Sequence, residues 1–353
     1  MQQALTVRAG PEALETIRRE GFRADLFTVL LGASGGPKWL VLASIDQVLA
    51  RRLVAARKSP LHAFGTSIGA FRHSCLALPD PLAALGRFEE AYVAQAYEKK
   101  PTPAEVTAES RRILSALLGS DGHSTALGHP HVRLHVGTVR SRGVAATDSR
   151  VPLALGLGAA ATANAMSRNL LGAFFERVVF HSTPKPAFVF ADVRTTNVAL
   201  DTANFVDATL ASGSIPLVME AIRDVAGAPR GLLRDGGITD YHFAMDFDAP
   251  PGLVLYPHFF DRIVPGWFDK PLTWRRPRGA LLSRTVFVAP SREFVATLPG
   301  GKVPDRDDFV RYSTADRHRT WHQALEQCRR LADELEELLE GDRLAQVAQP
   351  FWS

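Results

Sequence analysis

Cysteine is almost missing from this chain. Cys75 and Cys328 are the two thiols in 353 residues, and both fall in stretches that read as helices. Two such thiols exclude a disulfide framework and a cysteine-built metal site. Long apolar runs are missing as well: no stretch approaches the roughly 18 apolar residues of a membrane-spanning helix. The first residues, MQQALTVRAGPEALETIRREG, hold no apolar segment of signal-peptide length. No secretion signal is read there, and the expected compartment is cytoplasmic. Charge of one sign is scarce, since 41 Lys and Arg face 37 Asp and Glu, a net of +4 with a pI of about 9.2. So small an excess, unless clustered, gives no footprint for nucleic acid. No internal repeat at solenoid periods and no linker-like tract occurs. What is present is an ordinary globular composition, 46% apolar and 22% charged, long enough for a sizeable core. Without a linker, one α/β domain over residues 1–353 is expected.

The order of patterns sets the fold class. Glu12–Glu20 reads as a short helix after Pro11, ended by Gly21. Asp25–Leu31 is a buried-strand run that enters a Gly-rich loop, Gly32-Ala33-Ser34-Gly35-Gly36-Pro37-Lys38, before a long apolar helix from Trp39 to about Ala56. Leu61–Phe64 is a second strand and Ala70–Leu78 a helix. Strand, loop, helix, strand, helix is βαβ logic and predicts a parallel sheet with right-handed crossovers. Pro81–Lys99 and Ala104–Leu118 read as helices, Gly119–His131 as a polar loop, and Val132–Arg140 as a strand. Leu153–Phe175 reads as a buried helix, whole or broken near Gly156–Gly158, and Ala187–Thr195 as a strand. A helical stretch begins at Asp207–Leu210, Gly231–Arg234 is a short apolar run, and Gly252–Tyr256 and Thr285–Ala289 are further strands. The last helix, Thr314 to about Leu339, is the cleanest amphipathic pattern and is expected to cap the fold.

Gly65-Thr66-Ser67-Ile68-Gly69 lies between a strand and a helix. A serine flanked by glycines at such a turn is the nucleophile-elbow pattern, with the hydroxyl exposed at a helix N-terminus. Such a serine needs an oxyanion hole and a base. Gly35 and Gly36 put no side chain between their N–H groups and a ligand, so this loop is the candidate oxyanion hole, with Lys38 behind it. A phosphate-binding loop would need Gly-Lys followed by Ser or Thr; here Pro37 separates Gly36 from Lys38 and Trp39 follows. A dinucleotide fingerprint does not fit the glycine spacing either. For the base, the late histidines His242, His258, His318 and His322 compete with a carboxylate, Asp235, which is followed by Gly236 and Gly237 on a turn.

The set resembles the patatin-like phospholipase family. Its Gly-rich loop ending in a basic residue is matched by Ser34-Gly35-Gly36-Pro37-Lys38, its G-x-S-x-G by residues 65–69, and its Asp-Gly-Gly by Asp235-Gly236-Gly237. Its A-x-x-A-S-x-x-x-P stretch is matched by Ala208 to Pro216 through Ala211 and Ser212. The resemblance covers roughly residues 25–240 and implies a three-layer α/β/α hydrolase with a mostly parallel central sheet, extended at 250–353 by the amphipathic helix 314–339. It implies a Ser–Asp dyad: Ser67 as nucleophile, Asp235 as proton acceptor, and N–H groups of Gly35, Gly36 and Ile68 as the oxyanion hole. Lys38, Gly65, Gly69, Gly236 and Gly237 support the motifs, and no metal or cofactor is required. The implied substrates are acyl lipids, phospholipids or neutral esters. This chain departs from the family pattern in having Lys38 for the usual Arg, Pro37 before it, Ser34 where glycine is common, and no Asn-x-Pro after Gly237.

Two rival functions use the same residues: a small-ester esterase or thioesterase on the same dyad, and a non-catalytic protein that binds lipid or a partner. The stretch Tyr256–Arg278 interleaves aromatics with Arg and Lys. It reads either as a peripheral membrane contact or as a Pro-broken loop packing its aromatics inward. Gly119–His131 and Tyr256–Arg278 are the candidate lids.

Overall fold

Short apolar runs become strands of one 10-stranded sheet in a computed structural model, which describes residues 3–341 and 343–351. The ends of the expected 1–353 unit and residue 342 lie outside the described residues. The strands are β1 (Leu5–Ala9), β2 (Phe27–Gly32), β3 (Leu61–Thr66), β4 (Val132–Ser141), β5 (Phe175–His181), β6 (Thr195–Ala199), β7 (Ile222–Arg223), β8 (Leu232–Asp235), β9 (Leu253–Pro257) and β10 (Thr285–Pro290). The helices are α1 (Pro11–Glu20), α2 (Ala43–Leu49), α3 (Ile68–Leu76), α4 (Pro81–Val93), α5 (Pro103–Leu118), α6 (Gly122–Leu127), α7 (Arg150–Met166), α8 (Phe205–Ser212), α9 (Gly237–Asp240), α10 (Arg292–Thr297), α11 (Asp308–Arg311), α12 (Thr314–Leu338) and α13 (Arg343–Val347).

The order β1-β10-β9-β2-β3-β4-β5-β6 has a parallel centre, from β10 through β4, as the βαβ pattern requires. Antiparallel pairs lie outside it: β1 on β10, and β5 and β8 on β4. On one face α3 packs against β2, β3 and β4, while α2 and α12 close over Leu255, Pro257 and Val288. On the other, α7 buries Leu153 and Leu157 with Val139 of β4 and Phe175 of β5. The C-terminal helix is part of this core. Trp321, Cys328, Leu331 and Leu335 are buried, Ser44 donates to the Cys328 carbonyl at 2.7 Å, and Glu334 accepts the N–H groups of Ala4 and Leu5.

Several elements differ from the sequence pattern, each for a local reason. The helix expected from Trp39 is a 3₁₀ stretch over Gly36–Leu42, then α2, then a π-turn over Ala50–Val54. Gly119–His131 contains α6. The strand expected over Ala187–Thr195 is a loop. Phe188 and Phe190 alternate inward onto Phe64, with ring centroids 4.9 and 5.9 Å away, but Val189 makes only an isolated bridge to Asp248, and the ladder begins at Thr195. The helix expected to run to Phe175 stops at Met166, and Phe175 opens β5. It does not break at Gly156, where a Cβ would lie 2.9 Å from the Val144 carbonyl oxygen. Nor is it wholly buried: Val151, Leu155 and Met166 are 69%, 71% and 77% exposed.

Candidate active site

Strand β4 is the template on which the site is assembled. Its first half pairs with β3 in parallel and its second half with β8 antiparallel, so β3 and β8 meet tip to tip along one edge. Their last residues, Thr66 and Asp235, register against the adjacent residues Gly137 and Thr138. Ser67 therefore leaves β3 where Asp235 ends β8, although 168 positions separate them.

The Ser67 hydroxyl donates to Asp235 Oδ2 at 2.8 Å, and Asp235 Oδ1 accepts the Gly237 N–H at 2.7 Å. Both side chains are buried. Ser67 has φ 54° and ψ −129°, a conformation that a non-glycine residue holds only under constraint. The constraint is Ser212, whose hydroxyl accepts the Ser67 N–H at 2.8 Å and donates to the Gly137 carbonyl at 2.6 Å. The stretch that follows also braces β8, since Ser214 and Ser212 carbonyls accept the N–H groups of Asp235 and Gly236. Burial raises the Asp235 carboxyl to about 6, against the lowering effects of the Ser67 and Gly237 hydrogen bonds and of Arg306 and Lys270. A carboxylate with that proton affinity, bonded to a hydroxyl, can take its proton near neutral pH.

The motif glycines sit where side chains have no room. A Cβ at Gly69 would lie 2.1 Å from the Gly32 carbonyl oxygen, one at Gly65 2.5 Å from the Gly69 carbonyl carbon, and one at Gly236 2.2 Å from the Gly137 oxygen. At Gly35 it would meet the Phe259 ring at 2.5 Å, and at Gly237 the Ser34 hydroxyl at 2.5 Å. Gly36 instead needs its positive φ of 56°. Ser34, the departure from the family pattern, bonds Thr66 Oγ1 at 2.9 Å and so ties the Gly-rich loop to β3. Gly35, Gly36, Ser67 and Asp235 line one small cavity, and Ile68 opens α3 directly after Ser67. Lys38 is half-buried near the Phe260 ring, 5.9 Å from its centroid, and burial lowers its proton affinity.

An open cleft of about 530 Å³ leads away from Ser67 and Gly36. Phe71, Tyr92, Ile113, Ile215, Leu217 and Met219 supply apolar wall. Three more residues lie near Ser67 and carry no motif: Arg306, which lines both spaces, Trp267, which lines the small cavity, and Lys270, whose amine lies 4.2 Å over the Tyr241 ring of that cavity. The sequence signal for Trp267 and Lys270 is at most the aromatic-basic composition of 256–278, and Arg306 has none. Gly137 and the role of Ser212 were likewise invisible before pairing was known.

The histidine alternatives fall away. Buried His242 and His258 use Nδ1 on the backbone N–H groups of Val264 and Phe260, and burial pushes His258 down to about 3. His318 lies against the Gln95 carbonyl and His322 is exposed. None of the four lines either space beside Ser67. Of the two candidate lids, 119–131 folds onto α5 and lines neither space, whereas 256–278 contributes Trp267. Most aromatics of that stretch turn inward; Trp274 alone among them is 72% exposed. Among the described residues no group of His, Cys, Asp or Glu is placed to hold a metal ion, and no helix is long and apolar enough to cross a membrane.

No family model and no curated protein matches the chain. Among solved structures it is similar to human GIVD cytosolic phospholipase A2, at 12% identity and TM-score 0.38, over 95% of this chain and 63% of that one. It is also similar to VipD from Legionella pneumophila, at 12% identity and TM-score 0.31, over 72% of this chain and 53% of that one. The chain thus spans less than two thirds of the length of either.

Proposed function

We propose that this chain is a serine acyl hydrolase that cleaves carboxylic esters of lipids through a Ser67–Asp235 dyad. One observation carries the reading: a strained serine at a strand-to-helix turn donates its hydroxyl proton at 2.8 Å to a buried carboxylate whose pKa is raised to about 6. Ser67 Oγ attacks the ester carbonyl carbon while Asp235 takes its proton. The tetrahedral oxyanion is met by the N–H groups of Gly35, Gly36 and Ile68, each worth about a hundredfold or more in rate. Collapse breaks the C–O bond, and Asp235 returns the proton to the leaving alcohol. Water then attacks the acyl-serine as Asp235 takes its proton, and collapse breaks the acyl–Oγ bond, releasing the acid while Asp235 returns that proton to Ser67 Oγ.

The apolar cleft of about 530 Å³ beside Ser67 favours a long acyl chain over an acetyl or butyryl group. Contact with a lipid surface belongs to the same reading. Trp274, exposed Arg278, and the exposed Val151, Leu155 and Met166 of α7 supply apolar surface and a cation suited to anionic headgroups. Arg275 donates to the Asn164 carbonyl at 2.9 Å, which fixes that loop to the C-terminal end of α7.

The test is intact-mass analysis after fluorophosphonate treatment of the parent, Ser67→Ala and Asp235→Asn proteins. The expected result is a single adduct on Ser67 of the parent, absent in Ser67→Ala and formed far more slowly in Asp235→Asn. A folded parent that takes no adduct would refute the hydrolase and leave a binding protein. Soluble esters of increasing chain length then separate the classes: a sharp optimum at acetyl or butyryl would make it a small-ester esterase.

A further inference from the structure

Among the described residues, cations inside this fold have partners, with three exceptions that lie near one another. Arg72 pairs with Asp46, Arg177 with Asp192 and Asp240, Arg234 with Asp148, and Arg275 with Asp269. Buried Arg57 and half-buried Arg284 are held by backbone carbonyls. Lys38, Lys270 and Arg306 are also half-buried. Among the described residues, however, none of these three has an ion pair or a hydrogen-bonded acceptor. Lys38 and Lys270 lie over aromatic rings instead.

Arg306 and Lys38 line the cleft that holds Ser67, and Lys270 lies behind the aromatic wall of the adjoining small cavity. Arg306 lines both spaces with Ser67, and its Cγ is 3.8 Å from where a Cβ on Gly36 would be. Lys38 lines the cleft, and Lys270 sits behind Tyr241 and Trp267, which line the small cavity. They are close enough to oppose one another's charge: Lys270 is pushed down to about 7, by burial first and then by Arg306 and Lys38. Nearby acids offset them only in part: Asp305 and Asp307 favour the charged form of Lys38, and Asp235 that of Lys270, yet both lysines stay below their ordinary values. Asp305 is held by Lys302 at 2.9 Å, Asp307 is exposed, and Asp235 is occupied by Ser67 and the Gly237 N–H. Half-buried cations without acceptors carry a desolvation cost that a bound anion would offset.

We propose that Arg306 and Lys270, supported by Lys38, form a phosphate-binding subsite beside Ser67, so that the preferred ester carries a net negative phosphate headgroup rather than a zwitterionic or neutral one. The subsite rests on the hydrolase reading above. It is tested with dihexanoyl phosphatidate and dihexanoyl phosphatidylcholine, both as monomers so that surface charge plays no part. The wild-type protein should favour phosphatidate by about tenfold or more in kcat/KM. Arg306→Gln and Lys270→Gln should each lower that ratio, chiefly through KM, and the double variant should bring it near one. Lys58→Gln, an exposed cation before β3 at the opposite end of that strand from Ser67, should keep the ratio. A wild-type ratio near one, or a ratio that survives the double substitution, overturns the subsite. Inorganic phosphate is the other source of the same anion. If it slows Ser67 labelling while the two esters react equally, the cations hold free phosphate and the specificity is refuted. Fluorophosphonate labelling run alongside separates the failures: an unlabelled wild type sinks the hydrolase and the subsite together, while a labelled protein with a flat ratio sinks the subsite alone.

Discussion

Removing the Ser212 hydroxyl tests whether the nucleophile's turn is held from outside itself. Ser212 is buried and makes two hydrogen bonds that nothing else in the site duplicates: it accepts from Ser67 N–H and donates to Gly137 C=O. Ser212→Ala leaves both backbone groups without that partner. An orphaned buried polar group costs about 1–3 kcal/mol, so the pair should destabilise the fold by about 2–4 kcal/mol. The catalytic loss should be larger in proportion, because Ser67 at φ 54° sits about 1–3 kcal/mol above relaxed backbone. Freed of the restraint, the hydroxyl moves off Asp235, and a displacement of about 1 Å costs on the order of a hundredfold in rate. Urea unfolding midpoints give the first quantity, and the second-order rate of fluorophosphonate labelling gives the second. Ser74→Ala is the control: Ser74 is buried too, but its hydroxyl only returns to the Ala70 carbonyl one helical turn back. It should cost less than about 1 kcal/mol and leave labelling unchanged. If Ser212→Ala matches Ser74→Ala in both measurements, the elbow is held by its own sequence and the bracing role assigned to Ser212 is wrong.

Further outcomes follow from the same geometry. The rate of Ser67 acylation should fall as pH drops through about 6, where Asp235 becomes protonated; a profile flat to pH 4 would remove Asp235 as the base. Because the folded pKa of Asp235 lies above its ordinary value, its contribution to stability is complete below about pH 4 and is lost as pH rises through 6, by about 3 kcal/mol. Asp235→Asn should therefore be more stable than the parent at pH 8, with the difference shrinking toward pH 4, read from urea midpoints at both values. Gly69→Ala would put a methyl 2.1 Å from the Gly32 oxygen, so it should lower soluble yield or cost more than about 3 kcal/mol; a fully stable variant would mean that β2 and α3 can part. Trp274→Ala combined with Leu155→Asp should reduce partitioning onto anionic vesicles several-fold, measured by sedimentation; unchanged binding would show that the patch faces water in use.

What the sequence disclosed was whatever is written in consecutive residues. The elbow, the Gly-rich loop and the Asp-Gly-Gly turn are local solutions to steric problems, and their glycines stand where a Cβ would collide with backbone. The parallel centre of the sheet followed from strands alternating with helices. Elements whose character depends on a distant partner were not legible. Residues 187–194 alternate like a strand, but Phe188 and Phe190 are drawn onto Phe64 and the backbone finds only one bridge. The run Phe175–His181 has strand composition at its end, yet the Ala-rich segment before it extended the apparent helix into it. Gly137 shows the limit most clearly. It has no motif around it, and its meaning appears only when Thr66 and Gly236 are brought against it by β4.

Arg306 and Lys270 belong to that hidden class, whereas Lys38 was visible in the Gly-rich motif, and the first two bear on how a carboxylate could serve where imidazole is more familiar. Burial raises the proton affinity of Asp235 and works against its acting as a base. The Ser67 and Gly237 hydrogen bonds, with the fields of Arg306 and Lys270, act in the opposite direction and leave it near 6. A phosphate bound at the subsite would offset part of that positive field. Asp235 would then hold its proton more tightly in the complex than in the free protein, and a base that binds its proton more tightly draws harder on Ser67. On that proposal the same cations would recruit the substrate, keep Asp235 ionised while the site is empty and release it to act as base when the site is filled. In that arrangement the acidic limb of kcat for a phosphate-bearing ester lies at higher pH than the acidic limb of kcat/KM, and the two coincide for a neutral ester.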